Sequence, residues 1–178
     1  MIKKKICMVG AFGVGKTSLV ARFVHSMYAE KYQTTVGVKI DKKVVQHPSG
    51  EVTLVLWDLA GEDAVTTVRP VHLKGASGYI LVMDGLRRNT LAVAVDLHGR
   101  VSEALGTIPF VCVVNKADVR ESWEVRQADL DELITRGWTV VETSAKTGTA
   151  VEELFHTLTD TMMRELHDDD STADAVAG

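Results

Sequence analysis

Only two cysteines occur in the 178 residues, too few for a disulfide framework in a chain of this size. Cys7 and Cys112 each lie inside an apolar run, KICMV and PFVCVV, so both are expected to be buried, reduced thiols, as in a cytoplasmic protein. Basic charge is not in excess. The 20 Lys and Arg stand against 24 Asp and Glu, a net charge of −4, and the electrostatic footprint of a nucleic-acid binder is missing. The surplus acid sits at the end of the chain: Glu165, Asp168, Asp169, Asp170 and Asp174 follow Arg164 with no further Lys or Arg. Apolar runs are short. IPFVCVV has seven residues, far from the ~20 of a membrane-spanning helix. The apolar stretch after Lys3-Lys4-Lys5 is cut by Lys16, which argues against a secretory signal. The last residues, Ala175 to Gly178, include no cysteine, so no prenyl anchor is expected there. Internal repeats, low-complexity stretches and domain linkers are also lacking.

What remains is ordinary globular composition, 46% hydrophobic and 25% charged, in a chain long enough to bury one continuous core. Short apolar strands alternate with helical patterns. Ile6 to Val9 reads as a strand, followed by a helix whose apolar face is Leu19, Val20, Phe23, Val24 and Met27. Strands near Val38–Gln46 and Val52–Trp57 flank the turn Pro48-Ser49-Gly50, short enough for an antiparallel hairpin. Tyr79–Met83 and Phe110–Val114 are fully apolar, as strands buried on both faces of a parallel sheet are.

Thr90 can cap a helix bearing Ala94, Leu97, Val101 and Leu105. A weaker helix is expected over Val125–Thr135 and a strand at Trp138–Val141. Thr149 and Glu152 have the spacing of a capping box ahead of the stripe Val151, Leu154, Phe155, Leu158 and Met162. Strands separated by helices imply parallel pairing through right-handed crossovers, hence a doubly wound α/β sheet with one antiparallel edge strand and helices on both faces. The acidic end, 167–178, is expected to be a disordered tail to a domain spanning 1–166.

Gly10-Ala-Phe-Gly-Val-Gly15-Lys16-Thr17 fits G-x-x-x-x-G-K-[ST] between a strand and a helix. Glycines there let backbone N–H groups from about Gly13 through Val14 and Gly15 to Thr17 and Ser18 turn toward phosphates at a helix N-terminus. Lys16 would reach the β- and γ-phosphates, and the Thr17 hydroxyl would bind Mg²⁺. The motif alone leaves ATPases, kinases and GTPases open. Asn115-Lys116-Ala117-Asp118 narrows the field, because it follows a buried strand at the sheet edge where such folds take ligands. A carboxylate such as that of Asp118 can accept from both N1–H and the 2-amino group of guanine. Adenine has no 2-amino group and presents an acceptor at N1, so the same carboxylate would be left unpaired.

With these motifs the sequence resembles the Ras superfamily of small GTPases, and within it most the Rab group. The resemblance covers roughly residues 3–166 and runs through five ordered segments: GAFGVGKT, Thr35-Val36-Gly37, Trp57-Asp58-Leu59-Ala60-Gly61, Asn115-Lys116-Ala117-Asp118 and Thr143-Ser144-Ala145-Lys146. It implies a P-loop NTPase fold, a G-domain with a six-stranded mostly parallel sheet. It also implies a GTP- or GDP-holding switch that needs Mg²⁺ and hydrolyses GTP. By position, Thr35 would close on Mg²⁺ and the γ-phosphate. Asp58 would hold the metal through water, and the Gly61 N–H would bond the γ-phosphate. Tyr28 would lie against the base, Lys116 over base and ribose, and the Ala145 N–H at the guanine O6, within the Ser144–Lys146 turn. Loss of the γ-phosphate would release the segments of Thr35 and Gly61 together. Effectors, an exchange factor and an activating protein are the partners implied, with no nucleic acid and no direct lipid anchor, for a monomer.

The sequence departs from the family at three places. Glu62 stands where a glutamine usually orients the attacking water. A carboxylate cannot donate to the γ-phosphate and adds negative charge beside it, so turnover slower than the unassisted ~10⁻⁴ s⁻¹ of Ras is expected. Phe12 puts a ring where small or polar residues are usual, across the approach of an arginine from an activating protein. The third departure is the absence of terminal cysteines. The six histidines show no metal-ligand spacing. A GTP-loaded binding module with negligible hydrolysis is the alternative that Glu62 keeps open, and a P-loop nucleotide kinase conflicts with the Asp118 argument.

Overall fold

The computed structural model describes residues 2–28, 37–59 and 69–175, with side chains described through Arg164. Six strands form one sheet: β1 (Ile2–Gly10), β2 (Val38–His47), β3 (Gly50–Leu59), β4 (Gly78–Asp84), β5 (Phe110–Asn115) and β6 (Val140–Thr143). Their spatial order is β2-β3-β1-β4-β5-β6. Every neighbouring pair is parallel except β2 with β3, whose antiparallel register runs from Val38↔Leu59 to His47↔Gly50. Pro48 and Ser49 alone connect those two strands, and Gly50 takes the positive φ of 113° that closes the hairpin.

The helices are α1 (Lys16–His25), α2 (Pro70–Leu73), α3 (Asn89–Leu105), α4 (Gln127–Thr135) and α5 (Val151–Ala175), with a 3₁₀ segment at Ala117–Ser122. Alternation along the central strands splits the core into two layers. Ile6, Met8, Leu54, Leu56, Ile80, Val82, Val111 and Val113 point toward α1 and α5, where Phe23 and Phe155 stack with ring centroids 3.8 Å apart. Cys7, Val9, Leu81, Met83, Cys112 and Val114 point toward α3 and α4, meeting Ala94, Leu97, Val101, Leu130 and Leu133. Both cysteines are free and buried. Burial drives the Cys7 thiol up to about 11, against the opposing charge of Lys5, and the Cys112 thiol up to about 12. Each fully buried Leu or Phe contributes about 1.5–3 kcal/mol, so these two layers hold the sheet edges that carry the site.

Four local expectations need correction. Met27 lies beyond α1 and is 64% exposed, because Ser26 adopts a left-handed φ of 53° and ends the helix one residue earlier. Thr90 is not a cap. It lies inside α3, buried, its hydroxyl donating to the Arg87 carbonyl and accepting from the Asp84 N–H. Thr149 and Glu152 form no capping box, since α5 starts at Val151 after Ala150 at φ 54°. The Thr149 hydroxyl pairs instead with Thr147, and Glu152 with Lys43 of β2. The last strand runs Val140–Thr143 rather than from Trp138, whose ring packs edge-on to Phe110 at 5.2 Å. The backbone of α5 continues past Leu166, the expected domain limit, to Ala175.

Candidate functional site

β1 ends against β4 at Gly10, where an added Cβ would stand 2.4 Å from the Val82 carbonyl oxygen. The chain then curls through Gly13 and Gly15 at positive φ, 72° and 104°, before entering α1 at Lys16. Lys16 is folded back into this curl, its Nζ donating to the carbonyls of Gly10 at 2.8 Å and Ala11 at 2.9 Å. Burial lowers its ammonium to about 8. The carboxylate of Asp58 acts in the opposite sense, and Arg87 adds to the lowering. Thr17, in the first turn of α1, donates its hydroxyl to Asp58 Oδ2 at 2.5 Å. Asp58 is 1% exposed at the end of β3. Ser18 follows, half-buried, and the Phe12 ring at the tip of the curl is 42% exposed.

The second half of the site gathers at the carboxyl ends of β5 and β6. Asn115 joins three motifs at once. Its Nδ2 donates to the Val14 carbonyl at 3.0 Å, and its Oδ1 accepts from the Ala145 N–H at 3.1 Å and the Thr143 hydroxyl at 3.3 Å. A Cβ on Gly15 would come within 2.2 Å of that same Nδ2, so only glycine leaves room for the amide. Asp118 is exposed, with Oδ1 accepting the Ser144 hydroxyl at 2.6 Å. Ser144 and Ala145 are buried, and Lys146 is exposed. Lys116 takes φ 74°, and its Nζ donates to Asp84 Oδ2 at 2.6 Å. Tyr28 is 38% exposed, its ring centroid 6.0 Å from the Arg22 guanidinium.

Lys16, Thr17, Asp58, Asn115, Lys116, Asp118, Ser144 and Ala145 are thus brought to one edge of the sheet from the ends of three strands, β3, β5 and β6, and from the start of α1. Thr35, Gly61 and Glu62 lie outside the described residues. Three residues escape a motif reading. Arg22 donates from Nε to the Ala145 carbonyl at 2.8 Å and from Nη2 to that of Lys146. Asp84 closes β4 with no exposed surface, and Arg87 reaches both Asp84 and the backbone of Phe12. A charged residue ending the apolar run Tyr79–Met83 was a legible signal for Asp84. Arg22 and Arg87 gave none, since nothing in the sequence around either arginine marks the distant backbone carbonyl it reaches.

The sequence model of the Ras family matches residues 5–164. The chain belongs to the Ras family. Among its relatives, Ras-related protein Rab-32A of Dictyostelium discoideum is 34% identical over 172 residues, covering 90% of this chain and 78% of that protein. Ras-related protein Rab-32 of Mus musculus is 32% identical, covering 89% and 75%. Ras-related protein Rab-7L1 of Rattus norvegicus is 31% identical, covering 93% and 84%. The chain is therefore a Rab-like small GTPase, a guanine-nucleotide switch of a family that works with GTP, GDP and Mg²⁺ and with regulators and effectors.

The residues of this edge fit those ligands. A hydroxyl and a carboxylate in contact at a helix N-terminus are hard oxygen donors of the kind Mg²⁺ takes together with phosphate. The glycine curl supplies a backbone concavity that a Cβ at Gly10 or Gly15 would fill. Among the described residues, no helix is long and apolar enough to cross a membrane.

Proposed function

We propose that this chain binds GTP or GDP through the edge just described and converts GTP slowly to GDP and phosphate. One observation carries the reading: Asn115 hydrogen-bonds the phosphate loop and the Ala145 loop simultaneously, so the phosphate cradle and the base pocket form one rigid unit. In this reading the N–H groups of Gly13, Val14, Gly15, Lys16, Thr17 and Ser18 face the phosphates. Lys16 is the cation that would exchange its two carbonyl partners, those of Gly10 and Ala11, for phosphate oxygens.

Thr17 and Asp58 hold Mg²⁺, which supplies charge neutralisation on the phosphates. Asp118, oriented by the Ser144 hydroxyl, accepts from guanine, and the Ala145 N–H, which donates to Asn115 Oδ1 in this structure, would be shared with the guanine O6. Tyr28 and the stem of Lys116 flank the base. Thr35 and Gly61 complete the γ-phosphate contacts by position in the sequence, and they make the switch. Residues 1–166 carry this activity, with the acidic segment 167–178 as an appendage. A monomer working in the cytoplasm fits the same reading, with an effector, an exchange factor and an activating protein as partners.

Competition between GDP and ADP for the purified chain tests the reading. A clear preference for GDP that vanishes in Asp118→Ala supports it, and equal affinity for the two nucleotides defeats it.

Glu62 favours a second reading, a GTP-loaded binding module with negligible turnover. A carboxylate in place of the amide can accept a hydrogen bond from water but donates none to the γ-phosphate. Single-turnover hydrolysis of bound GTP separates the two. Phosphate release that is slow but complete, and faster in Glu62→Gln, supports the hydrolase. No phosphate over many hours supports the module.

A further inference from the structure

Arg87, in the segment between β4 and α3, uses its guanidinium as a fork. Its Nε donates to Asp84 Oδ2 at 2.9 Å, and its Nη2 donates to the backbone carbonyl of Phe12 at 2.7 Å. Asp84 has no exposed surface, and the oxygen that accepts Arg87 also accepts Lys116 Nζ at 2.6 Å. Its other oxygen takes the Leu86 N–H at 3.0 Å. A buried carboxylate needs this density of donors to remain charged. Lys116 is fixed in turn by its backbone, since its carbonyl accepts the Trp123 indole N–H at 2.9 Å. A chain of charge-assisted bonds therefore runs from residue 12 of the phosphate loop through Arg87 and Asp84 to Lys116 on the base side. It is separate from the bridge that Asn115 makes.

We propose that Arg87 is a positioning residue for nucleotide retention: it locks the phosphate-loop backbone at Phe12 to the buried Asp84 that holds Lys116. The inference rests on the nucleotide-binding reading above. The structural reason it falls to an arginine is geometric. Two acceptors, a carboxylate and a backbone carbonyl, are met by two different nitrogens of one planar fork, which serves both at once. Without the fork, the Phe12 carbonyl loses this donor and the tip of the phosphate loop loses this tie to Asp84. Asp84 is left with Lys116 and the Leu86 N–H. Arg87 is 40% exposed, so replacing it empties no core space.

Release of a fluorescent GDP analogue, measured at fixed Mg²⁺ with excess unlabelled GDP, reads this role directly. Arg87→Ala is expected to release GDP roughly tenfold faster, the scale of one charge-assisted hydrogen bond partly replaced by water. Arg87→Lys is expected to restore little, because one ammonium cannot span both acceptors. Arg87→Gln, which keeps a donor for one partner only, is expected to move in the same direction and serves if the alanine variant is poorly behaved. The effect of Arg87→Ala in a Lys116→Ala background is expected to shrink to about threefold or less, since both act through Asp84.

Release within about twofold of the parent, full rescue by lysine, or effects that multiply in the double variant would each overturn the proposal. The GDP-against-ADP competition on the unsubstituted chain keeps the two claims apart. Loss of guanosine preference there defeats the nucleotide reading itself, whereas intact preference with an unchanged Arg87→Ala rate overturns this inference alone.

Discussion

Replacing Asn115 by alanine removes three hydrogen bonds at a position that is 3% exposed. The Val14 carbonyl and the Ala145 N–H then lose the partner that satisfied them, while the Thr143 hydroxyl can rotate. A buried polar group left unsatisfied costs about 1–3 kcal/mol, and the Val14 carbonyl and the Ala145 N–H are both buried. A net loss of about 2–4 kcal/mol follows, a large fraction of the ~5–15 kcal/mol by which domains are stable. For a chain of this size that corresponds to a melting temperature lower by roughly 5–15 °C.

The same deletion unties the phosphate loop from the Ala145 loop, so GDP release should accelerate by more than the stability change alone dictates. Asn115→Asp is the sharper variant: it retains the acceptor for Ala145 and sets a carboxylate oxygen against the Val14 carbonyl. Urea denaturation at two GDP concentrations separates intrinsic stability from the linked contribution of bound nucleotide. A loss under about 0.5 kcal/mol, with GDP release unchanged, would refute the claim that Asn115 makes the two halves one unit.

Gly85→Ala would set a Cβ 2.1 Å from the Trp123 ring, on a residue whose carbonyl also accepts the Glu124 and Val125 N–H groups. A destabilisation of about 2–3 kcal/mol with a shifted tryptophan emission is expected, and unchanged emission and stability would contradict it. With thiols raised to about 11 and about 12, Cys7 and Cys112 should ignore a disulfide reagent at pH 8 and both react only after denaturation, as a thiol count over time will show. Asp129 accepts both arms of Arg88 and the Arg126 N–H, and these hold its carboxyl down to about 2. Because the folded value lies below the unfolded one, the benefit is present above about pH 4 and fades as pH falls toward 2. Asp129→Asn should therefore cost roughly 0.5–1 kcal/mol at pH 6 by paired denaturation curves, screened as it is at the surface, and the gap should narrow below pH 4.

By itself the sequence determined the layering of the fold, because strands such as Tyr79–Met83 and Phe110–Val114 are apolar at every position and can only be buried between two helical layers. Hairpin register was equally local, set by Pro48, Ser49 and Gly50. That Lys16, Thr17, Asp58, Asn115 and Asp118 belong to motifs was legible in the sequence, and the structure brings them to one edge of the sheet.

Element ends were less legible. Thr149 and Glu152 match a capping box in spacing, yet Lys43 arrives from β2 and takes Glu152, while the left-handed Ala150 starts α5. The terminus of α1 was likewise decided by one left-handed residue, Ser26, which periodicity does not register. Only the tertiary structure decided how the motifs are fastened together. Asn115 bonding to Val14, Arg22 to the Ala145 carbonyl, and Arg87 bridging Asp84 to Phe12 join residues 75 to 123 positions apart. Such bonds run from side-chain donors to backbone carbonyls whose meeting is set by chain topology, and backbone carbonyls carry no signature in the sequence.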